Sequence, residues 1–198
     1  MKPGTLARLG GILFLTIGLA GCFDATMDIK VLGDNKAQGT VTISLDKAIY
    51  DMGQGNGSSS DFCTDGTLTT TATTVTCTTS KDGTFDEINF DDSSPDGTPA
   101  PNVTIKQEQP GLVRVTFPTK ALQTDIGDSA SDAQSRQMMV SMFAGHSMTF
   151  SISGGEIVDT NMTLAPDRQS AKLVIPFSDV INRTADIPGD AYAVVKLR

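Results

Sequence analysis

The chain has 198 residues, enough for one domain with a substantial core, and 23 acidic against 15 basic side chains give it a formal net charge of −8. An acidic surface repels phosphate backbones and the anionic face of a bilayer, which argues against nucleic acid as a partner and against membrane binding by charge alone. A single histidine excludes metal centres built on two or three imidazoles, and the lack of Trp lowers the expectation of a sugar cleft lined by indoles.

The N-terminus carries an address. Lys2 and Arg8 precede an apolar run over 9–20 that ends in small residues before Cys22, the three-part layout of a secretory signal peptide. About a dozen apolar residues fall short of the ~20 that a membrane-spanning helix needs. Leu19-Ala20-Gly21-Cys22 resembles the lipobox of bacterial lipoproteins, and that resemblance implies a diacylglyceryl group on the Cys22 thiol. A thiolate is the side chain nucleophilic enough near neutral pH for this alkylation. The leader 1–21 is then expected to be removed, leaving a single α+β domain over 22–198 with Cys22 at its start. Its acyl chains, palmitate among them, would each contribute ~0.8 kcal/mol per buried methylene, which makes the membrane a partner through the anchor. Losing Lys2 and Arg8 moves the net charge from −8 to −10. Phe23, not an aspartate, follows Cys22. In a Gram-negative cell this favours the periplasmic side of the outer membrane, although Asp24 stands one place later.

With Cys22 assigned to lipid, Cys63 and Cys77 remain as a pair in an oxidising compartment and are expected to form a disulfide. Two free thiols or half of a metal site are the alternatives, and the second lacks a Cys-x-x-Cys or a nearby histidine.

In chain order, residues 25–32 and 40–45 alternate polar and apolar about the turn Gly33-Asp34-Asn35-Lys36, which reads as a β-hairpin. A short helix is expected over 47–52, then a glycine- and serine-rich loop over 53–60. Threonine-rich 67–79 reads as one or two strands carrying Cys77, and 82–101 as an acidic, turn-rich tract, so that 53–101 forms a loop-rich insertion around the disulfide. A second hairpin is expected over 102–107 and 112–117 about Gln109-Pro110-Gly111, with Val103 and Ile105 facing Val113, Val115 and Phe117. One long helix is expected over 129–145, capped by Ser129 or Ser131 and ended by Gly145. Strands follow at 147–152, 156–163, 170–175 and 192–197, with a turn of helix at 177–181. The sum is an α+β architecture, a curved antiparallel β-sheet packed against one main α-helix.

Few residues suggest chemistry. His146 lies past the long helix beside Ser147, with no nucleophile-elbow sequence, and is read as a surface or cap residue. Gly53, Gly55 and Gly57 mimic a phosphate loop without the strand and helix that loop requires. Asp82, Asp86, Glu87, Asp91, Asp92 and Asp96 lack the spacing of a calcium loop. The Asn-x-Ser/Thr triplets at Asn56, Asn102, Asn161 and Asn182 are read as chance in a bacterial protein. The remaining candidate is apolar: Met138, Met139, Met142, Phe143 and Met148 form a stripe that lines either ordinary core or a lipid pocket between helix and sheet. No enzyme, cofactor or metal is expected. The expected role is an envelope protein that binds a lipid or other apolar ligand, or else a structural or protein-interaction module.

Two stretches also carry a family resemblance. Asp28-Ile29-Lys30-Val31, Gly33-Asp34-Asn35 and Gly39-Thr40-Val41-Thr42-Ile43, with the later Phe150-Ser151-Ile152-Ser153-Gly154-Gly155-Glu156-Ile157, Thr160-Asn161 and Leu173-Val174-Ile175-Pro176, resemble the opening and closing strands of LppM-type lipoprotein domains. The resemblance implies a curved sheet gripping a helix, as in lipid-binding folds, and a part in handling envelope lipids. It brings no catalytic residues. The chain departs from it in the Cys63/Cys77 pair and in ending at Arg198 without the trailing membrane helix of many such proteins.

Overall fold

In a computed structural model, residues 23–55, 62–88, 103–120, 122 and 132–197 are described. Residues 1–22, residues 56–60 of the expected 53–60 loop, Asp91, Asp92, Asp96, Asn102, Ser129 and Ser131 lie outside them.

The described elements are β1 (Phe23–Gly33), β2 (Lys36–Asp46), α1 (Lys47–Gly55), β3 (Thr67–Thr70), β4 (Thr74–Gly83), a 3-10 turn (Phe85–Glu87), β5 (Thr104–Gln109), β6 (Leu112–Phe117), α2 (Ala133–Met142), β7 (Ser147–Ser153), β8 (Glu156–Thr160), β9 (Thr163–Leu164), β10 (Ser170–Pro176), α3 (Phe177–Ile181) and β11 (Ala191–Lys196). They build a seven-stranded sheet, β3-β4-β2-β1-β7-β10-β9, and a four-stranded sheet, β5-β6-β11-β8.

Alternation decides which faces meet. Met27, Ile29 and Val31 of β1 share a face with Phe150 and Ile152 of β7 and with Ala171 of β10, by strand register. These residues form one buried cluster with Val113, Val115 and Phe117 of β6, Ile157 of β8 and Ala193 and Val195 of β11. The sheets therefore close on each other, and the Phe117 and Phe150 rings meet at 4.9 Å across the interface. Phe85 of the 3-10 turn and Ile88, just past it, enter the same core, so the tract expected to be acidic and turn-rich supplies two of its side chains.

This overturns the expected α+β architecture. The molecule is mainly β, and the α-helices given a range among the described residues are short elements of 9, 10 and 5 residues. The long helix expected over 129–145 is described only as α2, and none of its residues is buried. The apolar faces of the two sheets satisfy each other, so no helix is needed to cover them. The helix also starts from a different cap: Asp132 Oδ1 accepts the backbone N–H groups of Gln134 and Ser135 at 2.9 and 2.8 Å. A carboxylate there meets the unpaired amides of the first turn and the positive end of the helix dipole. Gly145, expected as the stop, lies three residues past Met142 and takes φ +86.

Two further departures concern pairing. The sheet is mixed, because β1 runs parallel to β7 from Ala25↔Met148 to Lys30↔Ser153. The strand expected over 156–163 is cut in two, with β8 in the small sheet and β9 in the large one. The corner is held by Asn161, whose Nδ2 donates to Asp190 O at 2.7 Å and whose Oδ1 accepts from Tyr192 N at 2.8 Å. The hairpins match expectation: β1 pairs with β2 about Asp34-Asn35, and β5 with β6 about Pro110-Gly111, where Gly111 supplies φ +76.

Candidate functional site

The two ends of β1 differ in chemistry. At its start, Phe23 packs its ring against Phe177 of α3 at 5.0 Å and Phe143, just past α2, at 6.0 Å. Met139, Val140 and Met148 complete this small cluster around Phe177 and Ile181. Beside it, Asp24 ties β1 to the start of β7: Oδ1 accepts from Ser147 N at 2.9 Å, and Oδ2 stands 3.1 Å from Nδ1 of the preceding His146. The His146 side chain is thus paired with β1 at the junction between α2 and β7, and its partner is Asp24, not a helix end.

At the far end of β1, turns from both sheets leave a cleft of ≈ 720 Å³ whose walls include Lys30, Leu32, Asp34, Gly154, Gln169 and Leu197. Its base is backbone. A Cβ on Gly154, which has φ +118, would sit 2.0 Å from Val31 O, and one on Gly155 would sit 2.3 Å from Lys196 O. Only glycine lets the β7–β8 turn enter between β1 and β11. Lys30 and Asp34 bring one charge of each sign to the rim, and Leu32 and Leu197 bring apolar surface. Such a lining suits a ligand that is part polar and part apolar.

Cys63 and Cys77 are joined in a disulfide, as expected, with Cα atoms 5.6 Å apart. The methionine stripe is divided. Met139, Phe143 and Met148 meet in the aromatic cluster, whereas Met138 and Met142 are 59% and 41% exposed. Gly53 and Gly55 fall in the last turns of α1. Of the acidic tract, Asp82 accepts from Gln38 Nε2 at 2.8 Å. Glu87 accepts from both the backbone N–H and the hydroxyl of Thr84, and these bonds hold its carboxyl below the usual range. Among the described residues, no three His, Cys, Asp or Glu side chains gather as a metal site, and no helix is long and apolar enough to cross a membrane.

Sequence reasoning passed over Phe23 and Asp24 as structural residues and the Gly154-Gly155 turn as a cleft floor. A glycine pair between two apolar runs signals a turn. Which strands approach it is a tertiary matter.

The sequence matches no family model and no curated protein. Among solved structures, the chain is similar to the NMR structure of the Mycobacterium tuberculosis LppM folded domain, with 10% sequence identity over 88% of this chain and 90% of that one, and a TM-score of 0.48.

Proposed function

We propose that the chain is a lipid-anchored protein of the cell envelope, held by a diacylglyceryl thioether on Cys22, whose folded domain is a binding module and not an enzyme. The observation that carries this reading is the Leu19-Ala20-Gly21-Cys22 motif placed immediately before Phe23, where β1 begins. The end-of-sandwich cleft is the binding surface this reading favours, for an envelope component carrying both polar and apolar groups. In a Gram-negative cell, Phe23 after the lipidated cysteine favours the periplasmic face of the outer membrane.

The anchor is tested by intact mass and detergent phase partitioning of protein expressed in a bacterium. The processed wild type is expected to carry the acyl mass and enter the detergent phase, and Cys22→Ser to lose both properties. An acylated Cys22→Ser chain would sink the assignment. Native mass spectrometry of the released domain then separates ligands: a small-molecule adduct supports the cleft reading, and a bare domain that co-isolates with an envelope protein supports an interaction module instead. Recovery in the inner membrane on a sucrose gradient would overturn the location.

A further inference from the structure

We infer that the α2 end of the domain lies against the bilayer, with Met138 and Met142 entering its interfacial layer, so that β1 stands the cleft away from the membrane. The inference rests on the proposed lipid anchor at Cys22 and goes beyond it, because an anchor on a long linker would leave the orientation free.

No such linker is present between Cys22 and the fold. Phe23 is already paired, opposite Leu45 of β2, and its ring is fixed against Phe143 and Phe177. One residue spans at most ~3.6 Å, whereas an α-helix with its side chains is ~10–12 Å across. Acyl chains that leave Cys22 for the hydrocarbon therefore hold whatever surrounds Phe23 at headgroup depth. That neighbour is α2: Met139 and Val140 pack into the Phe23 cluster, and the exposed Met138 and Met142 are one turn apart on the same helix. Residues at i and i+4 share a helix face, so Met138 and Met142 together put apolar surface on the side of α2 away from the protein, beside the exposed but uncharged Gln134, Gln137 and Ser141. Methionine is flexible and adapts to a disordered apolar medium at low cost.

In the other direction, nine steps of ~3.3 Å along β1 carry Leu32 roughly 30 Å from Phe23. The cleft that Leu32 lines then faces the aqueous side, open to a component that is not part of the supporting bilayer.

The test uses the full lipidated protein in vesicles of phosphatidylethanolamine and phosphatidylglycerol at 3:1. Cys22 is acylated and Cys63 is bonded to Cys77, so a cysteine introduced as Met138→Cys, or separately as Leu32→Cys, is the one free thiol for a nitroxide label. Collision of the label with oxygen and with a water-soluble nickel chelate reports depth. At 138 the oxygen-to-nickel ratio is expected to rise at least threefold on going from the unlipidated Cys22→Ser background to the vesicle-bound protein. At 32 it is expected to stay unchanged. A 138 label equally open to nickel in both states, on protein whose mass shows the acyl chains, overturns the orientation and leaves the anchor standing. A chain without acyl mass overturns the anchor and this inference together.

Discussion

At the scale of single residues, two glycines test how the cleft is built. Gly154 and Gly111 both have positive φ, but a Cβ at Gly154 would strike the Val31 carbonyl at 2.0 Å, whereas one at Gly111 meets nothing within 4 Å. Left-handed strain alone costs roughly 1 kcal/mol for alanine, so Gly111→Ala is expected to lose about that much. Gly154→Ala must also push β7 from β1 and is expected to lose at least ~3 kcal/mol, in the range of severe core damage. Urea unfolding of the two variants decides it, and equal losses would show that the turn is not wedged. Asp132 offers a test by pH. The Ser135 hydroxyl and backbone N–H, with help from Gln134 N, hold its carboxyl below the usual range. A lowered folded-state value means that its support for α2 is present at neutral pH and is lost as pH falls below ~4, where an ordinary aspartate protonates. NMR titration should show the Gln134 and Ser135 amides moving in that window. In Asp132→Asn the same amides should be flat.

Among the elements, the β3–β4 hairpin depends on a covalent bond as well as on pairing. β3 is a four-residue edge strand with every residue exposed, so it buries little to hold itself in place. The disulfide, 14 residues apart in sequence, closes the loop that leads into it. Closing such a loop contributes about 3 kcal/mol in the chain-entropy account. Cys63→Ser with Cys77→Ser is expected to lower stability by about that amount and to loosen β3 first. β4 should stay in place, since it pairs with β2 over ten registered positions from Ala37↔Gly83 to Asp46↔Thr74. Unchanged amide protection in β3 after reduction would contradict this. The helices illustrate the opposite case. The pattern over 129–145 predicts one long helix, of which Ala133–Met142 is helical among the described residues, but periodicity cannot say how much of a helix is buried. α2 leans on Phe177 and Phe23 by one side, and the methionines on the other side meet no core.

For the whole molecule, order of unfolding follows from where the strands lie. β1 and β7 sit side by side in the middle of the seven-stranded sheet and supply Ile29 and Ile152, both fully buried. Their amides are expected to exchange slowest, at the free energy of global unfolding, and those of α2, which buries no residue, among the fastest. Hydrogen exchange followed by mass spectrometry would reject this if α2 were protected as strongly as β7. The same arrangement sets apart the two ends of the domain, with the aromatic cluster by Phe23 at one and the glycine-floored cleft at the other.

What the amino acids determine alone is local. Alternation placed Ile29, Val31, Val113 and Val115 inside and their neighbours outside, since a strand has a period of two whatever it pairs with. Pro110-Gly111 specifies its turn through φ, and the export address proposed for Lys2 to Cys22 is argued with no reference to a fold. The tertiary structure decided everything that needs two distant segments at once. Parallel pairing of β1 with β7 joins residues more than 120 positions apart, and no local pattern separates it from antiparallel pairing, because both bury the same alternating face. The Asn161 corner divides one expected strand between two sheets only because the Asp190 and Tyr192 backbones are there to receive its side chain. The cleft exists because Gly154 and Gly155 come within contact of Val31 and Lys196. A missing side chain is visible in the sequence, but the backbone that takes its place comes from elsewhere in the chain.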